Sequence, residues 1–405
     1  MNTALTILGL ILALTALIAV YPRDIRNNIG KWLPGISKNK NRLLGFNLKR
    51  LFDILKIEDI IVGNTFIRNP LKQNQIVGCV DNTSSGTITS PHILSLRDKI
   101  ISETEALAIK DGLTFDNNAS FALQRIDIKR PEGTSGEREN VYKIITKKTD
   151  FFSFVFPNLV LDREVYNENT QENDSVRNIV GLQKSKITFD NLIQFPQYSF
   201  KIGVGTLLIS SDNYIVCSIR SKKQFIASAN FQEDPLIHLS AAEGMFRSSI
   251  DYEKSDMIDG QPNPFATCYR SITDELNIPV NLVKDNVRSI GYFLDLKRAQ
   301  PFFIFYCKAE SKIDHLLSYY NDVPKDIHEN NAIFAIKWNI ENIISLFKKV
   351  TLKELNPIFP DIFSDYVKSH METNVKIASN HAMVGFSLGM WNDFDKEEIL
   401  SGLGK

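Results

Sequence analysis

The chain has 405 residues, 43% of them hydrophobic and 10% aromatic, enough to fill the cores of two or three domains. Lys+Arg and Asp+Glu both number 47. That balance removes the basic surplus on which non-specific duplex binding rests, so duplex nucleic acid is not an expected partner. The four cysteines (79, 217, 268, 307) and six histidines (92, 238, 315, 328, 370, 381) show no CxxC or HxxxH spacing. Buried, reduced thiols are expected, not a zinc centre or a disulfide framework.

Residues 3–21, TALTILGLILALTALIAVY, carry no charge. At about 1.5 Å per residue such a helix just spans a hydrocarbon core of about 30 Å. No Lys or Arg precedes the run, and LIA at 17–19 is a poor cleavage site, so an anchor is expected over a cleaved signal peptide. Arg23, Arg26, Lys31, Lys38, Lys40, Arg42, Lys49 and Arg50 follow it, opposed only by Asp24. Flanking cations stay on the cytoplasmic side, which predicts a single-pass helix over 1–21 and a cytoplasmic body. Residues 22–45 form a basic linker that, with Trp32, can lie on anionic headgroups. Gly9, Ala13, Thr15, Ala16 and Ala19 allow close helix packing.

Residues 46–195 read as an α+β region. NLKRLFDILKI (47–57) predicts an amphipathic helix, SETEALAIKDGLTF (102–115) a second helix, and PEGTSGEREN (131–140) a loop. VYKIITKK (141–148) and FFSFVFPNLVLD (151–162) read as strands, and NENTQENDSVRN (167–178) as a polar loop. From residue 196 to 405 the pattern becomes more regular. FKIGVGTLLIS (200–210) and YIVCSIRS (214–221) predict a β-hairpin. PLIHLSAAEG (235–244) predicts a strand entering a small-residue turn. VRSIGYFLDL (287–296) and PFFIFYCKAE (301–310) predict a second hairpin, AIFAIKW (332–338) a strand and NIENIISLFKKV (339–350) a helix. A helical C-terminal extension follows.

NPFATCYRSITDELNIP (263–279) carries the chemistry. Asn263 can cap a helix, Pro264 suits its first turn, Asn277 can take the left-handed conformation and Pro279 stops it. Phe265, Cys268, Tyr269, Ile272 and Leu276 define one buried face. Thr267, Ser271, Asp274 and Glu275 lie on another, where adjacent carboxylates can share a hard cation such as Mg²⁺. Arg270 is four residues before Asp274 and can pair with it. Read without their flanks, Asp274 and Glu275 fit a solvated face paired to Arg270 better than a metal site.

Arg270, Ile272, Asp274, Glu275 and Ile278 resemble the second half of the Nudix box, G-x5-E-x7-R-E-U-x-E-E-x-G-U, with U aliphatic. Asn277 stands for the box glycine. Gly260–Gln261 resembles the upstream Gly-Glu, one residue out of register and without the acid. The hairpin at 202–220, SAAEG (240–244) and the run 329–344 follow the family's order of elements. The resemblance covers roughly 195–375 and implies a mixed sheet with flanking helices. It departs at Ser271, where the family has a glutamate that binds metal or acts as base. A hydroxyl does neither well near neutral pH. Glu243 or Glu329 could complete a metal site with Asp274 and Glu275. The expectation is no catalytic residues and no cofactor, or Mg²⁺ weakly bound.

The resemblance further implies a nucleotide pocket. Arg220, Lys222, Phe225, Glu243 and Arg247 are its candidate ligand contacts: cations for phosphate, Phe225 for a base. An N-terminal membrane helix with a degenerate Nudix-like domain resembles the membrane-tethered Nudix effectors of bacterial CBASS antiphage systems. That resemblance implies a cyclic oligonucleotide ligand, homo-oligomerisation on activation and an inner-membrane location. An anchored pyrophosphohydrolase of nucleoside diphosphate derivatives is the alternative, and an anchored protein-binding scaffold a further one.

Overall fold

The computed structural model describes residues 48–67, 69–81, 90–110, 115–129, 140–196, 198–220, 236–248, 255–321, 330–348, 350–377 and 379–403. The expected anchor and linker lie outside them, as do most of the 131–140 loop and Lys222, Phe225 and Glu329. No helix among the described residues is long and apolar enough to cross a membrane. The chain divides into two compact units, 1–56 and 57–405. In the first, residues 48–54 are helical, and Leu48, Leu51, Phe52 and Leu55 are buried at i, i+3, i+4 and i+7.

The second unit is α+β with mixed sheets. Its strands are β1 (Ile60–Thr65), β2 (Ile76–Val80), β3 (Ala119–Lys129), β4 (Val141–Asp150), β5 (Glu164–Asn167), β6 (Glu172–Ser175), β7 (Gly203–Ile209), β8 (Tyr214–Arg220), β9 (Leu236–His238), β10 (Ala241–Gly244), β11 (Met257–Ile258), β12 (Gln261–Pro262), β13 (Val287–Asp295), β14 (Gln300–Lys308), β15 (Asn330–Lys337), β16 (Val350–Thr351) and β17 (Asn374–Ile377). The main sheet runs β1-β13-β14-β7-β8-β9-β17-β16, with β10 on β7 and β15 on β8. β7 is parallel to β14, and β9 to β17; the other pairs are antiparallel. A smaller sheet, β2-β4-β3, has β2 parallel to β4, and a parallel pair needs a long crossover. The Pro91–Lys110 helix lies within that connection.

The hairpin expected over 200–220 forms, but β7 and β8 pair only at Ile209–Ile215 and then splay. The chain of 236–244 occupies the split. β9 pairs with β8 through His238–Ser218, then the chain crosses over and β10 pairs with β7 through Ala241–Thr206. Ser240 sits at the crossing. Its hydroxyl accepts from Leu208 N–H and donates to the Val216 carbonyl, while the Ser218 hydroxyl donates to the Leu239 carbonyl. The serines satisfy backbone groups that the opened ladder would otherwise leave bare. SAAEG is therefore a strand and not a turn, and its small side chains let the Pro264–Leu276 helix pack against it.

Two further expectations change. FFSFVFPNLVLD forms short helical turns at Phe152–Val155 and Asn158–Val160. Asn117 and Asp150 side chains accept from the free Phe152 and Ser153 amides, and Pro157 interrupts the run. Part of 167–178 pairs as the β5–β6 ribbon, followed by a turn of helix capped by Ser175. In both places side-chain caps, from Asn117 and Asp150 in the first and Ser175 in the second, hold the helical turns.

The main sheet is covered on both faces. Thr206 of β7 meets Cys268 of the Pro264–Leu276 helix at 3.2 Å. Leu207, its neighbour, packs against Gly389 of the Asn380–Asp393 helix on the opposite face. The smaller sheet is tied to the helix entry: Asn263 Nδ2 donates to the Ile76 carbonyl. At that contact Gly78 is obligatory, because a Cβ there would lie 1.6 Å from the Pro262 oxygen.

Candidate functional site

The Pro264–Leu276 helix forms as its sequence dictates. Asn263 Oδ1 accepts from Phe265 N–H, Pro264 occupies the first turn, and Asn277 is left-handed at φ 55°. Phe265, Cys268, Ile272 and Leu276 are fully buried, and Phe265 packs edge-on against Phe305 of β14, with centroids 4.7 Å apart. At about 100° per residue the buried arc also includes Thr267, Ser271 and Glu275, and leaves Tyr269 on one shoulder and Arg270 and Asp274 on the other.

Arg270 organises the site, and Asp274, four residues on in the same helix, is among the charges acting on it. Its Nε and one terminal nitrogen grip Asp256 at 2.9 and 3.0 Å, and it also donates to the Gly244 carbonyl at 2.9 Å. Its other terminal nitrogen is 3.4 Å from Glu243 of β10. Asp256 is 3% exposed and accepts from Phe246 N–H as well. Although burial opposes its charge, Glu243 and Asp256 hold the guanidinium ionised well above its ordinary range. Sequence reasoning did not select Asp256, since it lies outside the helix. Gln261, which stands in for the upstream acid of the box, is exposed in β12.

Lys201 was also missed. Its ammonium lies over Gly244, where a Cβ would stand 2.6 Å from Cε and 2.9 Å from Nζ, and it faces the rings of Phe151 and Phe154 at 5.2 and 5.9 Å. Burial pushes it down to about 8; Glu243 and Asp256 oppose that shift and Arg270 reinforces it. Two cations and two carboxylates thus converge beside β10. The only sequence signal for this was a glycine next to a glutamate.

Three polar residues of the helix are placed as follows. Ser271 is fully buried, and its hydroxyl donates to the Cys268 carbonyl within its own helix. Glu275 is also fully buried. One carboxylate oxygen accepts from Ala242 N–H at 2.8 Å and the other is 3.5 Å from Arg220. Arg220, with its side chain 9% exposed, donates in turn to the Ala242 carbonyl. Asp274 is half-buried. Arg247 is half-buried, its amide donates to the Ala119 carbonyl, and its Nε is buried with no hydrogen-bond partner among the described residues.

These positions bring Glu243, Arg270 and Asp256 together and send Glu275 and Arg220 into a separate internal pair. Among the described residues, no group of three or more His, Cys, Asp or Glu side chains is arranged to hold a metal ion. The Ser271 hydroxyl points into its own helix, and the Glu275 carboxylate is shared between an amide and a guanidinium. The Arg247 Nε is a donor left without a partner among the described residues.

No family model matches the chain, and no curated protein matches it. Among solved structures, the crystal structure of DR0079 from Deinococcus radiodurans is similar at 13% identity, over 31% of this chain and 74% of that one, with a TM-score of 0.19. At that score the likeness carries no argument about fold or function.

Proposed function

We propose that residues 196–405 form a Nudix-like domain that binds a nucleotide without hydrolysing it, and that the chain is a membrane-anchored effector of bacterial antiviral defence. In this reading residues 1–21 anchor the chain in the inner membrane with its body in the cytoplasm. A cyclic oligonucleotide made during infection binds the domain and drives homo-oligomerisation, and the membrane is disrupted. One observation carries the proposal. The helix keeps its scaffolding contacts through Arg270, while Ser271 and Glu275, at two of the box's acidic positions, are buried in internal hydrogen bonds and salt bridges. A buried guanidinium nitrogen with an unused donor at Arg247 supports phosphate binding nearby.

Calorimetry of the detergent-solubilised full chain against a panel of cyclic di- and trinucleotides tests this. Binding of at least one member is expected. Arg247→Ala is expected to weaken it by about tenfold to a hundredfold, as when a charged hydrogen bond is lost. Absence of heat with every member, without added metal and with Mg²⁺, would remove the sensor reading. Release of mononucleotide from nucleoside diphosphate derivatives that depends on Glu275 would favour the hydrolase alternative instead.

A further inference from the structure

His238 of β9 and His381, in the first turn of the Asn380–Asp393 helix, meet inside the protein. Their Nε2 atoms are 2.6 Å apart, and the residues are 3% and 7% exposed. Neither Nδ1 has a hydrogen-bond partner among the described residues. The His381 ring stacks flat on Phe302 of β14, with centroids 4.5 Å apart, and its Nε2 is 3.0 Å from the hydroxyl of Ser379, the residue that caps the helix. Two imidazole nitrogens this close share one N–H, so one ring donates and the other accepts. A metal does not account for the pair. Ligating histidines hand their second N–H to an outer partner, and neither Nδ1 has one among the described residues. Among the described residues, the other charges that act on the rings are the guanidiniums of Arg220 from β8 and Arg298 from the β13–β14 turn.

We infer that the His238–His381 pair is a proton-sensitive latch that fastens the first turn of the Asn380–Asp393 helix to the sheet and opens when the pair gains protons. A first added proton leaves the N–H···N bond intact but puts a cation in a dry site facing two guanidiniums. A second removes the only acceptor and sets two N–H groups against each other. Burial and the two arginines accordingly hold both rings well below the ordinary histidine range. The closed form therefore binds fewer protons than the opened one. The latch has its full strength above the ordinary value near 6.5 and weakens as pH falls below it. The far end of the helix is clamped separately, by Asp393 accepting from Tyr306 at 2.6 Å and Trp338 at 2.8 Å, so the histidine end should open first.

Hydrogen exchange on the full chain, corrected for intrinsic rates, reads this directly. From about pH 7 to about pH 5, peptides over 379–386 should lose protection about 25-fold if opening admits one proton, and about 600-fold if it admits two. Peptides of β7 and β14 should keep theirs. The double variant His238→Gln/His381→Gln retains a donor and an acceptor without titrating, and its protection should be flat with pH. Unchanged exchange in the natural chain, or the same loss in the double variant, overturns the latch. Should the double variant not fold, ¹³C-histidine NMR of the natural chain decides. Both rings should remain neutral while the helix is protected, and a ring that becomes imidazolium near pH 6.5 with protection intact overturns the proposal.

Discussion

Lys201 is the residue whose setting differs most from its composition. A lysine at the start of a strand normally keeps its ammonium in water. Here the ammonium lies on Gly244 and faces two phenylalanine rings, and burial brings it down to about 8. Relative to an unfolded value of about 10.4, the folded chain releases this proton earlier, so the cost of burying the charge is full below pH 8 and fades between about 8 and 10. Lys201→Met keeps the apolar stem and removes the charge. It should unfold at higher urea than the natural chain at pH 7, with a gap that narrows above pH 8. A midpoint gap independent of pH would mean that the ammonium is solvated. The arginine that shares its carboxylates shows how much of the site could be read. Arg270 is evident from its place in the motif, but its main partner, Asp256, sits on a different segment fourteen residues earlier, and no periodicity links the two.

At the scale of elements, the extent and caps of the Pro264–Leu276 helix were legible, because they are local properties, while the burial of Thr267, Ser271 and Glu275 was not. Asn277 closes it with a left-handed backbone and also donates through Nδ2 to the Tyr319 carbonyl at 2.9 Å. Asn277→Ala should cost about 2 kcal/mol, about half from the left-handed conformation and half from the lost bond. Asn277→Gly loses only the bond and should cost about 1 kcal/mol or less. Denaturant unfolding of the two variants side by side checks the ordering, and equal losses would show that the backbone conformation contributes nothing. The Asn380–Asp393 helix falls within the expected helical C-terminal extension, but its bounds and its burial were not legible. Val384, Phe386, Leu388, Met390 and Trp391 are all buried, as are Gly385, Ser387 and Gly389 between them. A helix covered on nearly every side has no polar face, so the 3.6-residue period vanishes from its sequence. Gly385 and Gly389, poor helix residues, are there for close approach to Leu239 and Leu207.

At the scale of the molecule, the main sheet is assembled from both halves of the sequence. β1 pairs with β13 through Ile60–Asp295 and its neighbours, Leu71 bridges Ser289, and Ala122 bridges Lys201. Asn158 Nδ2 donates to the Arg298 carbonyl at 2.9 Å, and Arg177 donates to the Leu296 carbonyl at 2.8 Å. A fragment beginning at 57 keeps all of these. One beginning at 196 exposes the β13 edge and strips the partners of the β13–β14 turn. The first should unfold in one cooperative transition by calorimetry and stay monodisperse. The second should aggregate or melt at least 10 °C lower, the order of shift that follows from a loss of a few kcal/mol in a domain of this size. Equal melting of the two would make residues 57–195 an independent module.

What the sequence determined by itself is whatever depends on neighbours within about ten residues: the uncharged run at 3–21, the alternating strands and the capped helix that carries Ser271. Those features follow from backbone geometry and local hydrogen bonding, which are written in order along the chain. Only the tertiary structure decided that Glu275 is spent on Arg220 and the Ala242 amide, that Lys201 and Asp256 complete the charge cluster around Arg270, and that two histidines 143 residues apart share a proton. Each of these rests on burial and on contacts between separate segments of the chain. Neither the dielectric around a side chain nor its distant partners can be read from its own position in the chain.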